Sequence, residues 1–398
     1  MDDPAERARR EPKNPIARLL FADALRGRDD DGALREYRAA LALDPHLVLA
    51  HRGAAAILTA RGEQDAADRH TRAAHKPIAF QTAAYTGSGT PVRVLQIGSA
   101  ILGGHTNTDA VLHSDAFETT TLIVEFWDPA RPLPEHDVVF NIIADPDICG
   151  PALDVAQWIL ESTRAPVINA PGAIRSTGRL HNAERLRGLS GVKAPLIALV
   201  DRAELARDGS AVQALGFSFP LLIRTPGFHM GKHFVMVESV DDVARAIAEL
   251  PGESLYVIEY FDVRRPDGRV VKYRAMIVGS EVLPAHLALS PDWKVHYFSA
   301  RMGDRERAEE RQCLADMRGT LGPRIVGALE AVRDTLMLEY AGLDFGVTPD
   351  GDLAVFEANA SMTLFVPEPG PRNEYRRAAV ERINNALGDL VKRAATRR

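Results

Sequence analysis

Cysteine is nearly absent: Cys149 and Cys313 are the only two in 398 residues. Two thiols so far apart exclude a disulfide framework and a cysteine metal site, and they fit a reducing compartment. No apolar run reaches the length a membrane-spanning helix needs. The opening residues, MDDPAERARREPK, have no apolar core and do not form a secretory signal. A strong charge of one sign is missing too. The formal net charge of -6 does not favour a nucleic-acid-binding face. These absences predict a soluble, cytoplasmic protein that binds neither nucleic acid nor membrane.

Several motifs are missing as well. QIGSAILGGH does not match GxGxxG, which argues against dinucleotide binding. No Ser-His-Asp or Cys-His set is evident among twelve scattered histidines, and Cys149 beside Gly150 reads as a core or helix-start thiol. What the chain does have is length and apolar content. With 398 residues and 46% apolar, it can build two or three domains, each with its own core. The charged ends, including Lys392, Arg393, Arg397 and Arg398, read as solvated tails.

Residues 1–80 carry a helical pattern. Ile16, Leu19, Leu20 and Leu25 recur at helix spacing after Pro15. A second helix over 32–43 stops at Asp44-Pro45. Ala33, Tyr37, Ala40 and Pro45 follow one another at offsets that return as Ala66, His70 and Ala73 after a third helix over 48–60. His70 and His75 read as surface positions. The segment resembles about two copies of the tetratricopeptide repeat, without the usual first-helix tryptophan. So short an array must pack on something. It serves either as a docking module for a peptide or protein partner, or as a buttress for the catalytic part or for a homodimer.

Residues 81–90, QTAAYTGSGT, form a polar linker. Beyond it, apolar strands at 92–98, 120–127 and 136–145 alternate with helices expected at 109–114 and 152–161, and PVINAP follows. This pattern predicts a parallel sheet covered on both faces. Ligand loops lie at the C-terminal strand ends of such sheets. They hold Ser99, Asn107, Asp128, Asn141, Asp145 and Asn169. A helical, arginine-rich segment over 177–189 adds Arg179, Arg185 and Arg187, of which Arg179 is the candidate to reach a phosphate.

Residues 216–239 predict strand, glycine-containing loop, strand. Gly227 and Gly231 let backbone amides approach phosphate oxygens, and Arg224 and Lys232 bring positive charge. The GKS or GKT ending of a P-loop is absent. Ser239 caps the next helix. SLYVIEYFDV is a strand, a further hairpin follows, and LSPDWKVHYFSARMGD reads as an active-site loop. A long helix over 321–340 leads into LDFGVTPDGDLAVFEANA. That stretch reads as a β-hairpin: a strand ending near Val347, a turn at Pro349, Asp350 and Gly351, and a strand over 353–357. A two-residue step puts Glu357 and Asn359 on one face, with Asp344 entering from the partner strand. Two carboxylates and an amide oxygen are ligands that Mg²⁺ accepts.

The order of these elements over residues 91–369 resembles the ATP-grasp superfamily, specifically its D-alanine–D-alanine ligase-like carboxylate–amine ligases. The motif DFGVTPDGDLAVFEANASM carries most of the resemblance. It implies a multidomain chain: an all-α repeat segment (1–80), the linker (81–90) and an α/β preATP-grasp domain (91–195). An α+β ATP-grasp domain follows, with a small lid subdomain (196–262) and a C-terminal catalytic subdomain (263–398). The resemblance implies that Asp344, Glu357 and Asn359 hold one or two Mg²⁺ ions and that Arg179 and Arg224 grip the ATP phosphates. Both of these positions are lysine in the family, and arginine differs in shape and reach. Glu259, Tyr260, Phe261 and Asp262 fall on the adenine hinge. Arg274 falls on the residue that steadies the transferred phosphoryl group, and Ser361 on a small substrate-side residue. Lys272, Lys294 and His296 are further candidate substrate contacts. The implied activity is ADP-forming amide or peptide-bond synthesis through an acyl phosphate, on small-molecule or peptide carboxylates and amines. Phosphorylation of a small molecule and non-catalytic nucleotide binding are the alternatives.

Overall fold

The computed structural model describes residues 3–45, 47–75, 80–101, 104–228, 231–295, 300 and 302–397. The chain forms two compact units. One comprises Met1–Thr82, Ile97–Gly104 and Thr121–Pro132; the other comprises Ala83–Gln96, His105–Thr120 and Leu133–Arg398.

The first unit is mainly helical: α1 (Pro4–Arg10), α2 (Pro15–Leu25), α3 (Asp30–Leu43), α4 (Val48–Ala60) and α5 (Gln64–His75), with strand β1 (Phe80–Ala83) after them. Asn14 caps α2 by accepting from the Ile16 and Ala17 amides, and Asp29 caps α3 through Gly32. Leu19, Ala22, Ala33, Tyr37, Ala40, Ala54, Ile57 and Leu58 form the core. A Cβ on Gly53 would stand 2.2 Å from the Tyr37 ring, so only glycine permits this approach of α4 to α3. Ala33, Tyr37 and Ala40 are buried, as their spacing predicts. In α5 the buried residues are Ala67, Thr71 and Ala74, one position later than the expected repeat. His70, beside this buried row, is half-buried and not a surface residue: its Nδ1 lies 2.9 Å from Nδ1 of the buried His51. The N-terminus is not a tail either, because Asp3 and Pro4 start α1 and Ala8 is buried.

The second unit holds two complete sheets and most residues of another. The strands β2 (Val92–Gly98), β3 (Phe117–Ile123), β4 (Val138–Asn141) and β5 (Val167–Ile168) lie in the order β3-β2-β4-β5, with β4 and β5 parallel. The helix expected at 109–114 is a run of turns. The Thr108 carbonyl accepts from Val111 and Leu112, and the chain then turns again at His113. Helix α6 (Pro146–Leu160) starts earlier than expected, because Asp145 caps it and Pro146 suits the first turn. Helices α7 (Pro171–Arg175) and α8 (Arg179–Arg187) precede β6 (Val192–Lys193).

A four-stranded antiparallel sheet follows, ordered β7-β10-β8-β9. It contains β7 (Ile197–Asp201), helices α9 (Arg202–Arg207) and α10 (Ala211–Ala214), β8 (Leu221–Arg224), β9 (Phe234–Val237), α11 (Val240–Glu249) and β10 (Ser254–Glu259). Val243, Ala246 and Ile247 of α11 fill the core on one face. The opposite face carries Leu222, Tyr256 and Ile258 with the half-buried Ile197, Phe234, Met236, Tyr260 and Trp293.

The third sheet is ordered β12-β11-β13-β14-β6. It is built from β11 (Val270–Val278), β12 (Glu281–Ser290), helices α12 (Asp304–Ala315) and α13 (Met317–Leu336), β13 (Tyr340–Val347), β14 (Leu353–Asn359) and α14 (Glu374–Ala395). Helix α13 ends at Leu336 rather than at 340, because Met337 takes a left-handed conformation and Tyr340 opens β13. The C-terminus is not a tail: Val380, Ile383, Leu387 and Val391 form one buried face of α14. Among the described residues, no helix is long and apolar enough to cross a membrane.

Candidate functional site

The hairpin of β13 and β14 places Asp344 directly opposite Glu357 and Gly342 opposite Asn359, with a register shift after Asp344. The turn closes where the Gly351 amide donates to the Thr348 carbonyl at 2.9 Å, with Gly351 at φ +79. Gly342 is required by packing, since a Cβ there would meet Met362 at 2.5 Å.

Strand β11 lies on the other side of β13, and its register sets Arg274 opposite Asp344. Arg274 grips that carboxylate with two hydrogen bonds, Nε to Oδ1 at 2.6 Å and Nη2 to Oδ2 at 2.8 Å. Lys272, two residues earlier on the same strand face, brings Nζ within 2.5 Å of Oδ2. Asp344 is 1% exposed. Burial pushes its carboxyl up, but Lys272 and Arg274 outweigh that and hold it well below the usual carboxylate range.

Glu357 is met from the N-terminus of α8. Arg179 Nη2 donates to its Oε1 at 2.8 Å, and Asn359 Nδ2 donates to the same oxygen at 3.1 Å. Asn359 Oδ1 accepts from the amide and hydroxyl of Ser361, both at 3.1 Å. Asn182 of α8 donates to the Ala358 carbonyl at 2.7 Å and ties the helix to β14. The Arg179 amide donates to Asp147 Oδ2 at 3.1 Å, and the Tyr256 hydroxyl lies 3.5 Å from the same oxygen. Burial and then Asp147 push the Tyr256 phenol up to about 12.

Arg224 ends β8 buried, at 8% exposure. Its Nη2 donates to the Phe228 carbonyl, and its guanidinium lies 5.7 Å from the Phe234 ring centroid. Burial, then the positive charge of Arg179, bring its pKa down to about 10, against the opposing pull of Glu357 and Asp145. Gly227 and Gly231 have φ of +77 and +70, and Lys232 is exposed. Lys294 reaches back to this strand pair. Its Nζ donates to the Phe234 carbonyl at 3.1 Å, while Trp293 meets the Phe234 ring edge-on at 5.4 Å. Burial and then Arg224 lower the Lys294 pKa. His296 lies outside the described residues.

At the end of β10, Glu259 Oε2 accepts from the Leu196 amide at 2.8 Å. Asp262 caps a turn by accepting from the Arg264 amide at 3.0 Å. Tyr260 joins the apolar face of the four-stranded sheet, and Phe261 packs with Val263, Val270 and Ala288. A cleft lies within the unit, lined among others by Asp145, Asp147, Arg179, Ile197, Glu357 and Asn359.

Three expected substrate contacts are engaged in local hydrogen bonds. Asn141 is 0% exposed; it donates to the Ile143 and Asn169 carbonyls and accepts from the Ile143 amide, so it shapes a loop. Asn107 is exposed and caps a turn by accepting from the Asp109 amide. Ser99 is buried and donates to Glu125, and it belongs to the first unit. Asn169 is also structural, since it exchanges hydrogen bonds with the Tyr340 backbone. Sequence reasoning did not single out Asp147 or Tyr256. The only available signal for Asp147 was its place in the first turn of a Pro-started helix. Among the described residues, no three His, Cys, Asp or Glu side chains gather as a metal-binding group.

No family model matches the sequence, and no curated protein matches it. Solved structures similar to this chain include the VanG D-Ala:D-Ser ligase from Enterococcus faecalis. It has 12% identity and a TM-score of 0.48, with 77% of this chain and 100% of that chain covered. A RimK domain ATP-grasp protein from Sphaerobacter thermophilus has 15% identity and a TM-score of 0.44, with 75% and 99% covered. The ATP-grasp ligase PsnB, solved with a precursor peptide and AMPPNP, has 12% identity and a TM-score of 0.43, with 77% and 99% covered.

Proposed function

We propose that the chain is an ATP-dependent, ADP-forming carboxylate–amine ligase of the ATP-grasp type. The observation that carries this reading is the convergence on one hairpin of Asp344, Glu357 and Asn359 with Arg179, Lys272 and Arg274. Acidic oxygens and cations in close alternation suit a polyphosphate with its metal.

Asp344, Glu357 and Asn359 would hold Mg²⁺, whose hard oxygen preference their donor set fits, together with water and phosphate oxygens. Bound there, the ion supplies neutralisation of phosphate charge. Arg179, Lys272 and Arg274 can exchange their carboxylate partners for phosphate oxygens as ATP enters. Arg224 gains most from an anion, because its charge is desolvated. The apolar face bearing Ile197, Phe234, Met236, Tyr260 and Trp293 offers the purine a stacking surface, beside the chain segment of Glu259 to Asp262.

The chemistry asked of these residues is mainly placement and charge. A substrate carboxylate oxygen attacks the γ-phosphorus of ATP and ADP leaves. An amine nitrogen then attacks the acyl carbon, phosphate leaves, and the nitrogen loses a proton. Arg274 is placed to steady the phosphoryl group as it moves. The glycine-containing lid, held by Lys294 and Trp293 on Phe234, would keep water from the acyl phosphate.

The test supplies ATP, Mg²⁺ and a panel of amino acids and short peptides as carboxylates, with hydroxylamine as the amine. Carboxylate-dependent ADP release with a hydroxamate product supports the reading. ADP release with a stable phosphorylated product identifies a kinase instead, and no ADP release with any carboxylate removes the ligase reading.

A further inference from the structure

Glu357 and Asn359 stand at the far end of β14, beyond the part of the strand that its neighbours hold most regularly. Strand β6 accompanies β14 at Leu353 and Ala354. On the β13 side, Asp344 pairs with Glu357 but Phe345 pairs with Val355, so Phe356 is the extra residue of a bulge. A bulge disrupts the ladder locally and re-aims the side chains beside it. The segment that carries two candidate metal ligands therefore draws support from outside the sheet.

Two buried side chains give that support. Asn182 Nδ2 donates to the Ala358 carbonyl at 2.7 Å, and the Thr106 hydroxyl donates to the Ala360 carbonyl at 2.9 Å. The two donors are 5% and 3% exposed. Ala358 and Ala360 alternate with Glu357 and Asn359 along the chain. Holding those two carbonyls fixes the peptide planes on either side of Asn359 and the plane after Ala358, and so the direction in which the ligand side chains leave the backbone. Buried carbonyls are costly to leave without a donor, which makes both contacts firm.

The donors are anchored in turn. The Asn182 amide donates to the Gly178 carbonyl at 2.8 Å in the first turn of α8. Three residues earlier on that helix, Arg179 meets the Glu357 side chain, so positions on one helix face hold both Glu357 and the carbonyl of the next residue. Thr106 lies between β2 and β3. Its amide donates to the Ile142 carbonyl at 2.8 Å, and His105 before it forms a bridge with Ile143.

We propose that Asn182 and Thr106 are positioning residues for the metal site: by holding the Ala358 and Ala360 carbonyls they aim Glu357 and Asn359 at one ion. The inference rests on the reading that Asp344, Glu357 and Asn359 hold Mg²⁺. Neither residue touches the ion or the nucleotide in this role; each acts through the strand.

The experiment titrates the full chain, saturated with AMPPNP, with Mn²⁺ and reads free Mn²⁺ by electron paramagnetic resonance. Melting curves show that each variant is folded at the temperature used. Thr106→Val and Asn182→Leu keep the branching of the side chain but cannot donate, and each should raise the Mn²⁺ dissociation constant about tenfold. Thr106→Ser keeps the hydroxyl and should recover most of the affinity. In a Glu357→Gln background, Thr106→Val should add no more than about threefold, because the ligand it aims is already lost. Glu357→Gln alone tests the metal reading. If it weakens Mn²⁺ while Thr106→Val and Asn182→Leu do not, the metal reading stands and the positioning role is overturned. A loss in one of the two variants overturns the role for the other residue. A serine variant as weak as the valine one, or a full loss that persists in the Glu357→Gln background, marks a general structural effect and also overturns it. If Glu357→Gln binds Mn²⁺ as the wild type does, the metal reading falls and this inference falls with it.

Discussion

Arg179 and Glu357 stand 178 positions apart in the chain, yet Arg179 Nη2 donates to Glu357 Oε1 at 2.8 Å. A candidate phosphate-binding cation and a candidate metal-binding carboxylate therefore neutralise each other across α8 and β14. Both side chains are largely buried, at 17% and 27% exposed, so the contact is worth more than a surface ion pair.

Glu357→Gln keeps the shape of the side chain but removes its charge. We expect carboxylate-dependent ADP release to fall by about 100-fold or more, the order seen when preorganised charge is lost from a phosphoryl-transfer site. Thermal stability should change little, because the amide can still accept from Arg179. Steady-state kinetics and a melting curve on the same preparation check both halves.

Asp344→Asn removes the charge that Lys272 and Arg274 share while fully buried. Breaking such a group costs about 3–5 kcal/mol, and denaturant titration measures it. The folded-state pKa of Asp344 lies below its unfolded value. Its contribution to stability is therefore complete above the unfolded value of about 3.9 and is lost as pH falls toward the folded value. In acid titrations the variant should lack that part of the wild-type loss of stability.

Arg224 shows the opposite balance. Burial and Arg179 lower its pKa to about 10, so its charge is a burden on the free chain. Arg224→Met should raise the melting temperature while weakening ATP-analogue binding by about tenfold or more, the usual trade of stability for function. Calorimetric titration with AMPPNP and Mg²⁺ checks the loss.

The His51–His70 contact makes the helical unit sensitive to acid. Burial, then His51, Arg38 and Arg69, lower the His70 pKa. The unfolded chain therefore binds more protons near the ordinary value of about 6.5, and stability rises with pH through that region. Melting followed by far-UV circular dichroism should show a drop between about pH 7.5 and pH 5.5 that His70→Asn diminishes.

The hairpin was legible because its signals are local. A Pro-Asp-Gly turn sets the reversal, and a period of two sets Glu357 and Asn359 on one side. The strand–loop–strand arrangement around Arg224 was legible for the same reason. What holds Asp344 was not, because the pairing of β11 with β13 joins segments about seventy residues apart, and no local pattern encodes that register. Loop position at a strand end suggested Asn141 as a ligand contact, but its amide is consumed by backbone that the sequence does not place. The α14 core face was present as Val380, Ile383, Leu387 and Val391, a helical period obscured by the basic residues around it.

In the proposed reaction a carboxylate oxygen ends up on phosphorus. With a substrate carboxylate labelled with ¹⁸O and a competent amine, mass analysis of the released phosphate tests it. The expected result is one ¹⁸O in phosphate for each amide formed, with ADP as the nucleotide product. Amide formed with unlabelled phosphate, or with AMP and pyrophosphate, would contradict it.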